Sequence, residues 1–339
     1  ANGTLALTAA YKSLGIGEGD EVITTPRTFI ATSSSLVLLN AKPIFADVDK
    51  DSGSITAESI EPLITKRTKA IAVVHLGGWP ANMPSICALA KSYGISVIED
   101  CSQAHGGAIF VKNKSYSVGS FGDVATWSFC TDKIISTGGE GGMVTTNKEN
   151  IWKYIWSYKD HGKDWHKTKQ VSHPPGFRWL HDEFGTNYRL TEMQSAIGRI
   201  QLKRISEINS LRERNAMIMA DYLKNCPLVR VPWPASNFKS AWYKFYCYIN
   251  PERLKSNWNR DRILSEMLAE GIQSFSGSCG EIYQEKCFVN AGLNPEKRLP
   301  IAKTLSETSL MFLIHPTISV EIMHKYAQKV CKILKSASN

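Results

Sequence analysis

A lysine, an aspartate and a glutamine carry the chemistry legible in this sequence. Lys133 ends the run Ser128-Phe129-Cys130-Thr131-Asp132-Lys133 and stands just before Thr137-Gly138-Gly139-Glu140-Gly141-Gly142-Met143. Asp100 and Gln103 lie upstream, within Glu99-Asp100-Cys101-Ser102-Gln103-Ala104-His105-Gly106. A lysine amine forms an imine with an aldehyde, and a buried carboxylate keeps a ring nitrogen protonated, which turns the ring into an electron sink. Gln103 follows Asp100 at the right distance to donate to a phenolic oxygen on the same ring. Aldehyde, pyridine nitrogen and phenolic oxygen occur together in pyridoxal 5'-phosphate (PLP), the cofactor that these residues predict. The constellation carries the weight. Most lysines are solvated surface charge, and for Asp100 alone a helix cap after a strand is an equal account.

Such a cofactor also needs an anion site and a flat surface. Gly3 and Thr4 open a helix, where backbone N–H groups and a hydroxyl suit a phosphate; plain capping by Asn2 or Thr4 is the alternative. Ser128, at a strand end, adds a second hydroxyl. Phe29 can stack on the ring, although an aromatic in an apolar helix is more often core. The glycines of 138–142 lack the Lys-Ser or Lys-Thr pair of a P-loop and the strand-then-helix order of a dinucleotide fingerprint. A tight turn beside the cofactor explains them better.

The elements that must hold these groups alternate. The pattern predicts helices over 5–14, 28–40 and 84–93 and strands over 21–24, 43–48, 70–76, 96–99, 124–129 and 143–146. Continuous apolar strands alternating with helices predict an α/β fold with a mainly parallel central sheet covered on both faces. Ligands of such sheets sit beyond the carboxyl ends of the strands, where this reading puts Asp100 and Ser128. A helix over 151–160, a long loop over 161–185 and a helical run over 191–225 follow, the last with an apolar stripe of Met193, Ile197, Ile200, Ile205, Ile208 and Leu211. Beyond it lie a strand over 242–249 and helices over 260–270 and 320–334. The division expected is a large cofactor-binding domain over 1–205 and a small C-terminal α+β domain over 206–339.

Composition narrows the class. The chain has 339 residues, 43% hydrophobic and 21% charged, with no apolar run long enough to span a bilayer and no secretory signal. The net charge of +9 is scattered without a basic block, so neither nucleic acid nor membrane is the expected partner. None of the eight cysteines forms a C-x-x-C pair; reduced, mostly packed thiols in the cytoplasm are expected. His161, His166, His173 and His181 share one polar stretch whose spacing matches no standard zinc pattern, and no metal is expected.

The motifs taken together resemble the DegT/DnrJ/EryC1/StrS family of PLP-dependent nucleotide-sugar aminotransferases. The matching stretches are Asn-Gly-Thr-Leu-Ala-Leu at 2–7, Gly-Asp-Glu-Val-Ile at 19–23, Thr-Phe-Ile-Ala-Thr at 28–32, His-Leu-Gly-Gly-Trp-Pro at 75–80 and the runs 99–106, 128–133 and 139–142. Gly-Thr-Asn-Tyr-Arg-Leu-Thr-Glu-Met-Gln at 185–194 completes them. The resemblance implies the aspartate aminotransferase-like fold type I of PLP-dependent transferases. It also implies these roles: Lys133 for the imine and the proton shuttle, Asp100 for the ring nitrogen, Gln103 for the ring oxygen, Gly3, Thr4 and Ser128 for the phosphate, and Phe29 for stacking. Asn187 matches an asparagine that reaches the phosphate in the neighbouring subunit, which implies a homodimer with shared active sites. His161 and the loop after it border the sugar site, and Tyr188 and Arg189 are further expected substrate contacts. Family members begin several dozen residues before the Asn-Gly-Thr motif, with a segment that helps build the dimer and the pocket. Phe312-Leu313-Ile314-His315-Pro316 departs from the family's Leu-Pro pattern.

The reaction implied is transamination from L-glutamate, through pyridoxamine 5'-phosphate, to a keto sugar on a nucleoside diphosphate, for surface polysaccharide or glycan. Two alternatives stand beside it. Related sugar 3-dehydratases carry His where Lys133 stands, and a non-catalytic sensor with the same fold would bind cofactor without turnover.

Overall fold

The computed structural model describes residues 1–339 apart from 171, 174 and 279; Cys279, expected to be a reduced thiol, thus lies outside the described residues. Six strands form the central sheet in the order Lys42–Phe45, Glu21–Thr24, Thr68–Val74, Ser96–Asp100, Val124–Ser128 and Gly142–Thr145. The first five run parallel and the last antiparallel. Side chains alternate between the faces, and both faces are apolar. Val22, Ala70, Ala72, Ile98 and Val124 pack with Leu7, Tyr11 and Leu36 of the helices Gly3–Ser13 and Ala31–Val37. Ile23, Ile71, Val73 and Val97 pack with Met83, Ile86 and Ala90 of the helix Met83–Tyr93. This double burial explains why the strands read as unbroken apolar runs.

A second, antiparallel sheet has the order Ser274–Phe275, Ser309–Phe312, Phe245–Ile249 and Val229–Arg230. Its core joins Phe245, Cys247, Leu310 and Phe312 to Met219 and Leu223 of the helix Ile205–Leu223 and to Met323, Ala327 and Val330 of the helix Val320–Ala337. A short third sheet pairs Phe238–Lys239 with Ala108–Val111, which pairs in turn with Lys114–Ser117. Among the described residues, no helix is long and apolar enough to cross a membrane.

Several predicted elements change. The helix expected over 28–40 is only Ala31–Val37, so Thr28 and Phe29 precede it, and Phe29 is 65% exposed rather than core. The run 191–225 is two helices, Glu192–Lys203 and Ile205–Leu223, separated where Arg204 takes φ −94° and ψ 0°. Of its apolar stripe, Ile208 is buried while Met193, Ile197 and Ile200 are exposed. The described part of 161–185 includes a short helix, Trp165–Lys169, capped by Asp164 through the Lys167 N–H at 2.7 Å. The strand expected from Trp242 starts at Phe245, because Trp242 adopts φ +48° and residues 240–244 form a strap bonded to the turn at 77–78 instead.

That strap ties the two sheets together beside the cleft. Ala241 N donates to Gly78 O at 2.8 Å and Lys244 N to Gly77 O at 3.2 Å. Gly78 has φ +91°, and a Cβ there would lie 2.8 Å from Trp242 N and 2.9 Å from Tyr243 N. Only glycine allows this approach.

Candidate active site

A cleft of about 420 Å³ opens beyond the carboxyl ends of the parallel strands. Gly3, Thr4, Phe29, Asp100, Gln103, Ser128 and Lys133 all line it, so seven residues drawn from four motifs converge on one space. Asp100 ends the strand Ser96–Asp100 and Ser128 ends the neighbouring strand Val124–Ser128.

Asp100 is 5% exposed. Its Oδ2 accepts from Thr32 Oγ1 at 2.8 Å and its Oδ1 from Ser102 N at 3.1 Å. No helix follows Asp100, so the helix-cap alternative does not apply; its carboxylate faces the cleft with its orientation fixed from two sides. Thr32 is held by Thr28 Oγ1 at 3.0 Å, and Thr32 O accepts from Tyr11 Oη at 2.8 Å. Burial, with the Asp100 charge second, pushes the Tyr11 hydroxyl well above its usual range, so it stays a neutral donor.

Gln103 is buried, and its Oε1 accepts from Gly77 N at 2.8 Å. With the carbonyl engaged, the amide nitrogen is the group left to donate into the cleft. The turn that carries Gly77 is braced from below. Ala81 N donates to His75 Nδ1 at 3.0 Å, which leaves the proton on Nε2, 3.1 Å from Glu99 Oε2. Glu99 also accepts from Gly119, Phe121 and Gly122 N–H groups at 2.7–2.8 Å. Burial acts to raise its pKa, but His75 and these amides outweigh it and leave the carboxyl below its ordinary range. His75, Glu99 and Cys101 are close enough for a metal, yet both His75 nitrogens and both Glu99 oxygens already have partners.

The helix Gly3–Ser13 starts at the cleft. Asn2 Oδ1 accepts from Leu5 N at 2.9 Å and Asn2 O from Ala6 N at 3.0 Å. Capping and anion binding therefore coexist: the cap satisfies Leu5, while the Gly3 and Thr4 N–H groups find no acceptor among the described residues. A Cβ on Gly3 would lie 2.7 Å from Ser128 Cβ and 3.1 Å from its Oγ. Glycine here is what lets the helix start and the Ser128 hydroxyl share one small space.

Lys133 Nζ lies 3.5 Å from Asp132 Oδ1 and 5.2 Å from the centre of the Tyr243 ring. Behind it, His105 packs against Trp127 and Phe129, with ring centres 5.4 and 5.5 Å away. Burial and then the Lys133 charge push the His105 imidazole down to about 3, so it is neutral.

The remaining predicted residues do not line this cleft. His161 has φ +64° and donates its N–H to Thr186 O at 3.1 Å. Asn187 forms a backbone bridge with Asp160 and accepts from Arg189 N at 3.3 Å; Arg189 pairs with Asp160. Tyr188 meets Tyr158 edge-on at 5.7 Å. Tyr188 and Arg189 line a separate hollow of about 470 Å³ with Trp152 and Trp156. Sequence reading missed Thr32, Asp132 and Tyr243. Thr32 had a signal in the expected helix over 28–40, where it would follow Thr28 by one turn on the same face; Tyr243 had none.

An aldehyde cofactor with a basic ring nitrogen and a phosphate fits this donor set. It offers one amine, one buried carboxylate, one amide donor and two free N–H groups beside a hydroxyl, all lining one cleft. The comparisons agree. At the sequence level, a 3-aminotransferase of UDP-N-acetyl-3-dehydro-α-D-glucosamine from Acidithiobacillus ferrooxidans is 35% identical over 98% of this chain and 83% of its own length. GDP-perosamine synthase of Escherichia coli O157:H7 is 41% identical over 66% of this chain and 57% of its own length. The solved structure of an aminotransferase from Psychrobacter cryohalolentis superposes with a TM-score of 0.96 at 48% identity, covering 100% of this chain and 87% of that one. The model of the DegT/DnrJ/EryC1/StrS aminotransferase family matches residues 1–335, and the chain, an aminotransferase, belongs to that family.

Proposed function

We propose that this aminotransferase moves an amino group from L-glutamate to a keto sugar carried on a nucleoside diphosphate, as a cytoplasmic homodimer in amino-sugar biosynthesis. The observation that carries the reading is the convergence of Lys133, Asp100, Gln103 and the free N–H groups of Gly3 and Thr4 on one cleft. When bound, PLP supplies a carbonyl that carries the amino group between two substrates and a cationic ring that takes up electron density. The chain supplies the rest. Gly3, Thr4 and Ser128 hold the phosphate, Asp100 accepts the ring N–H, Gln103 donates to the ring oxygen and Phe29 lies against the ring. Lys133 Nζ anchors the cofactor and, once released, takes and returns the substrate proton. Asn187, which does not line the cleft, serves the phosphate site of a neighbouring subunit, and His161, Tyr188 and Arg189 serve as contacts for the sugar substrate.

The nucleotide-linked sugar follows from the relatives, one named for a UDP-linked and one for a GDP-linked sugar. The test supplies PLP, L-glutamate and a panel of UDP- and GDP-linked keto sugars. The expected result is 2-oxoglutarate in equal amount to an aminated sugar nucleotide. A deoxysugar formed without 2-oxoglutarate would mean dehydration, and cofactor binding without any product would mean a sensor.

Gly3→Ala probes the phosphate site. The added methyl must displace Ser128 or the helix start, a strain of about 1–3 kcal/mol, so PLP affinity is expected to fall about tenfold or more. Fluorescence titration of the apoprotein checks it.

A further inference from the structure

We infer that Asp132, held by the Tyr243 hydroxyl, is the docking point for the Lys133 amine when that amine is free, and that Asp132 and Tyr243 are positioning residues for proton transfer. The inference rests on the proposed function and adds two residues to it.

Three observations carry it. The two oxygens of Asp132 are divided between partners: Oδ2 accepts the Tyr243 hydroxyl, and Oδ1 faces Lys133 Nζ at 3.5 Å. Tyr243 comes from 111 residues further along the chain, yet its ring also faces Lys133 Nζ at 5.2 Å, so one side chain borders both ends of the ion pair. Tyr243 is itself immobilised. It is 5% exposed, packs with Phe129, Ile134 and Ile135, and its carbonyl accepts from the buried Arg212 Nη1 at 3.3 Å.

Magnitude argues against a merely stabilising pair. The Asp132 side chain is 57% exposed, and an ion pair so placed contributes at most about 1 kcal/mol. A tyrosine carried in on a strap and locked by a buried arginine is an elaborate arrangement for so small a gain. It does fix where a mobile amine rests. The same strap holds Gly77, whose N–H orients Gln103, so one segment sets both the amine and the amide donor. Burial and then the Asp132 hydrogen bond raise the Tyr243 pKa beyond any working range, so Tyr243 remains the donor. Burial opposes it, but Tyr243 and Lys133 leave Asp132 ionised below its usual range.

The other charged and titratable groups facing this cluster are Lys244, His105, Arg212, Cys130, Glu140 and Tyr246. Lys244 lies over the Tyr243 ring at 4.6 Å, its pKa lowered chiefly by burial. His105 is neutral, burial opposed by Tyr243 brings Arg212 down only to about 10, and Cys130 and Glu140 pair with each other at 3.4 Å. None of them places a second carboxylate against Lys133.

The test uses PLP-loaded wild type, Asp132→Asn and Tyr243→Phe. The first readout is the pH at which the visible absorbance of the Lys133-attached cofactor changes. Removing the adjacent negative charge disfavours the protonated nitrogen, so this midpoint is expected to fall by about one pH unit in Asp132→Asn. The second is the half-reaction with glutamate deuterated at C2. Both variants should slow it about tenfold with a larger isotope effect and a KM within about twofold of wild type, and Asp132→Glu should restore part of the rate. An unchanged midpoint in Asp132→Asn, or unchanged isotope effects in both variants, would overturn the inference while leaving the cofactor reading intact. If Asp132→Asn does not hold cofactor, the isotope effect of Tyr243→Phe decides. A wild type that stays colourless with added PLP overturns the cofactor reading and this inference together.

Discussion

Lys133→Ala is expected to lower turnover by more than about 10⁴-fold, because the proposed function gives one nitrogen two roles that each contribute a large factor. In the mechanism proposed above it anchors the cofactor and moves the substrate proton. Neither can be taken over locally. Another amine nearby, Lys244 Nζ, sits 4.6 Å from the centre of the Tyr243 ring and does not line the cleft. The variant should still fold. The lost contact is a 3.5 Å pairing with an exposed carboxylate, worth at most about 1 kcal/mol, so Tm should move by only a few degrees. Borohydride reduction followed by peptide mass mapping provides the second readout: the cofactor mass should appear on the peptide containing residue 133 in wild type and vanish in the variant. A variant with unchanged Tm that retained a tenth of the wild-type rate would remove Lys133 from the centre of the chemistry.

The features legible in the sequence were those fixed by local rules. Double burial makes parallel strands continuous apolar runs, so Thr68–Val74 and Ser96–Asp100 were recognised within two residues, and the helix Met83–Tyr93 was bounded by the glycine that ends it. Asp100 and Ser128 could be placed at the cleft because strand ends in such sheets are where ligands sit. Elements whose existence depends on distant partners were lost. Ala108–Val111 is a strand because Phe238–Lys239 and Lys114–Ser117 pair with it, and Ser309–Phe312 because Phe245–Ile249 does. Tyr243 follows the same logic: its reach to Asp132 depends on the strap's bonds to Gly77 and Gly78, and no spacing in the sequence encodes them. Phe29 is open to the cleft rather than packed in a core for a related reason, since the helix expected to include it begins at Ala31.

Asp100→Asn should be nearly as damaging as Asp100→Ala, at about 10²–10³-fold in turnover, because the role proposed for this residue is its charge. The asparagine keeps the shape, and it retains an acceptor for either Thr32 Oγ1 or Ser102 N, both of which now bond the carboxylate. Packing is therefore almost unchanged, and the Asn variant should melt close to wild type. What it cannot do is hold a proton on a ring nitrogen. At 5% exposure little water competes for that interaction, so the loss of one negative charge is felt almost undiluted. The alanine variant loses the same charge and also leaves the buried Thr32 hydroxyl with Thr28 alone, which adds a stability cost of about 1–3 kcal/mol without much further loss of rate. Comparing the two thus separates electrostatics from packing. A cofactor methylated on its ring nitrogen sharpens the comparison, because its positive charge is permanent and needs no carboxylate to maintain it. It should recover part of the activity of Asp100→Asn and give no gain in wild type. If Asp100→Asn kept wild-type turnover with ordinary PLP, the carboxylate would be a scaffold for Thr32 and Ser102, and the ring's charge would have to be maintained by another group.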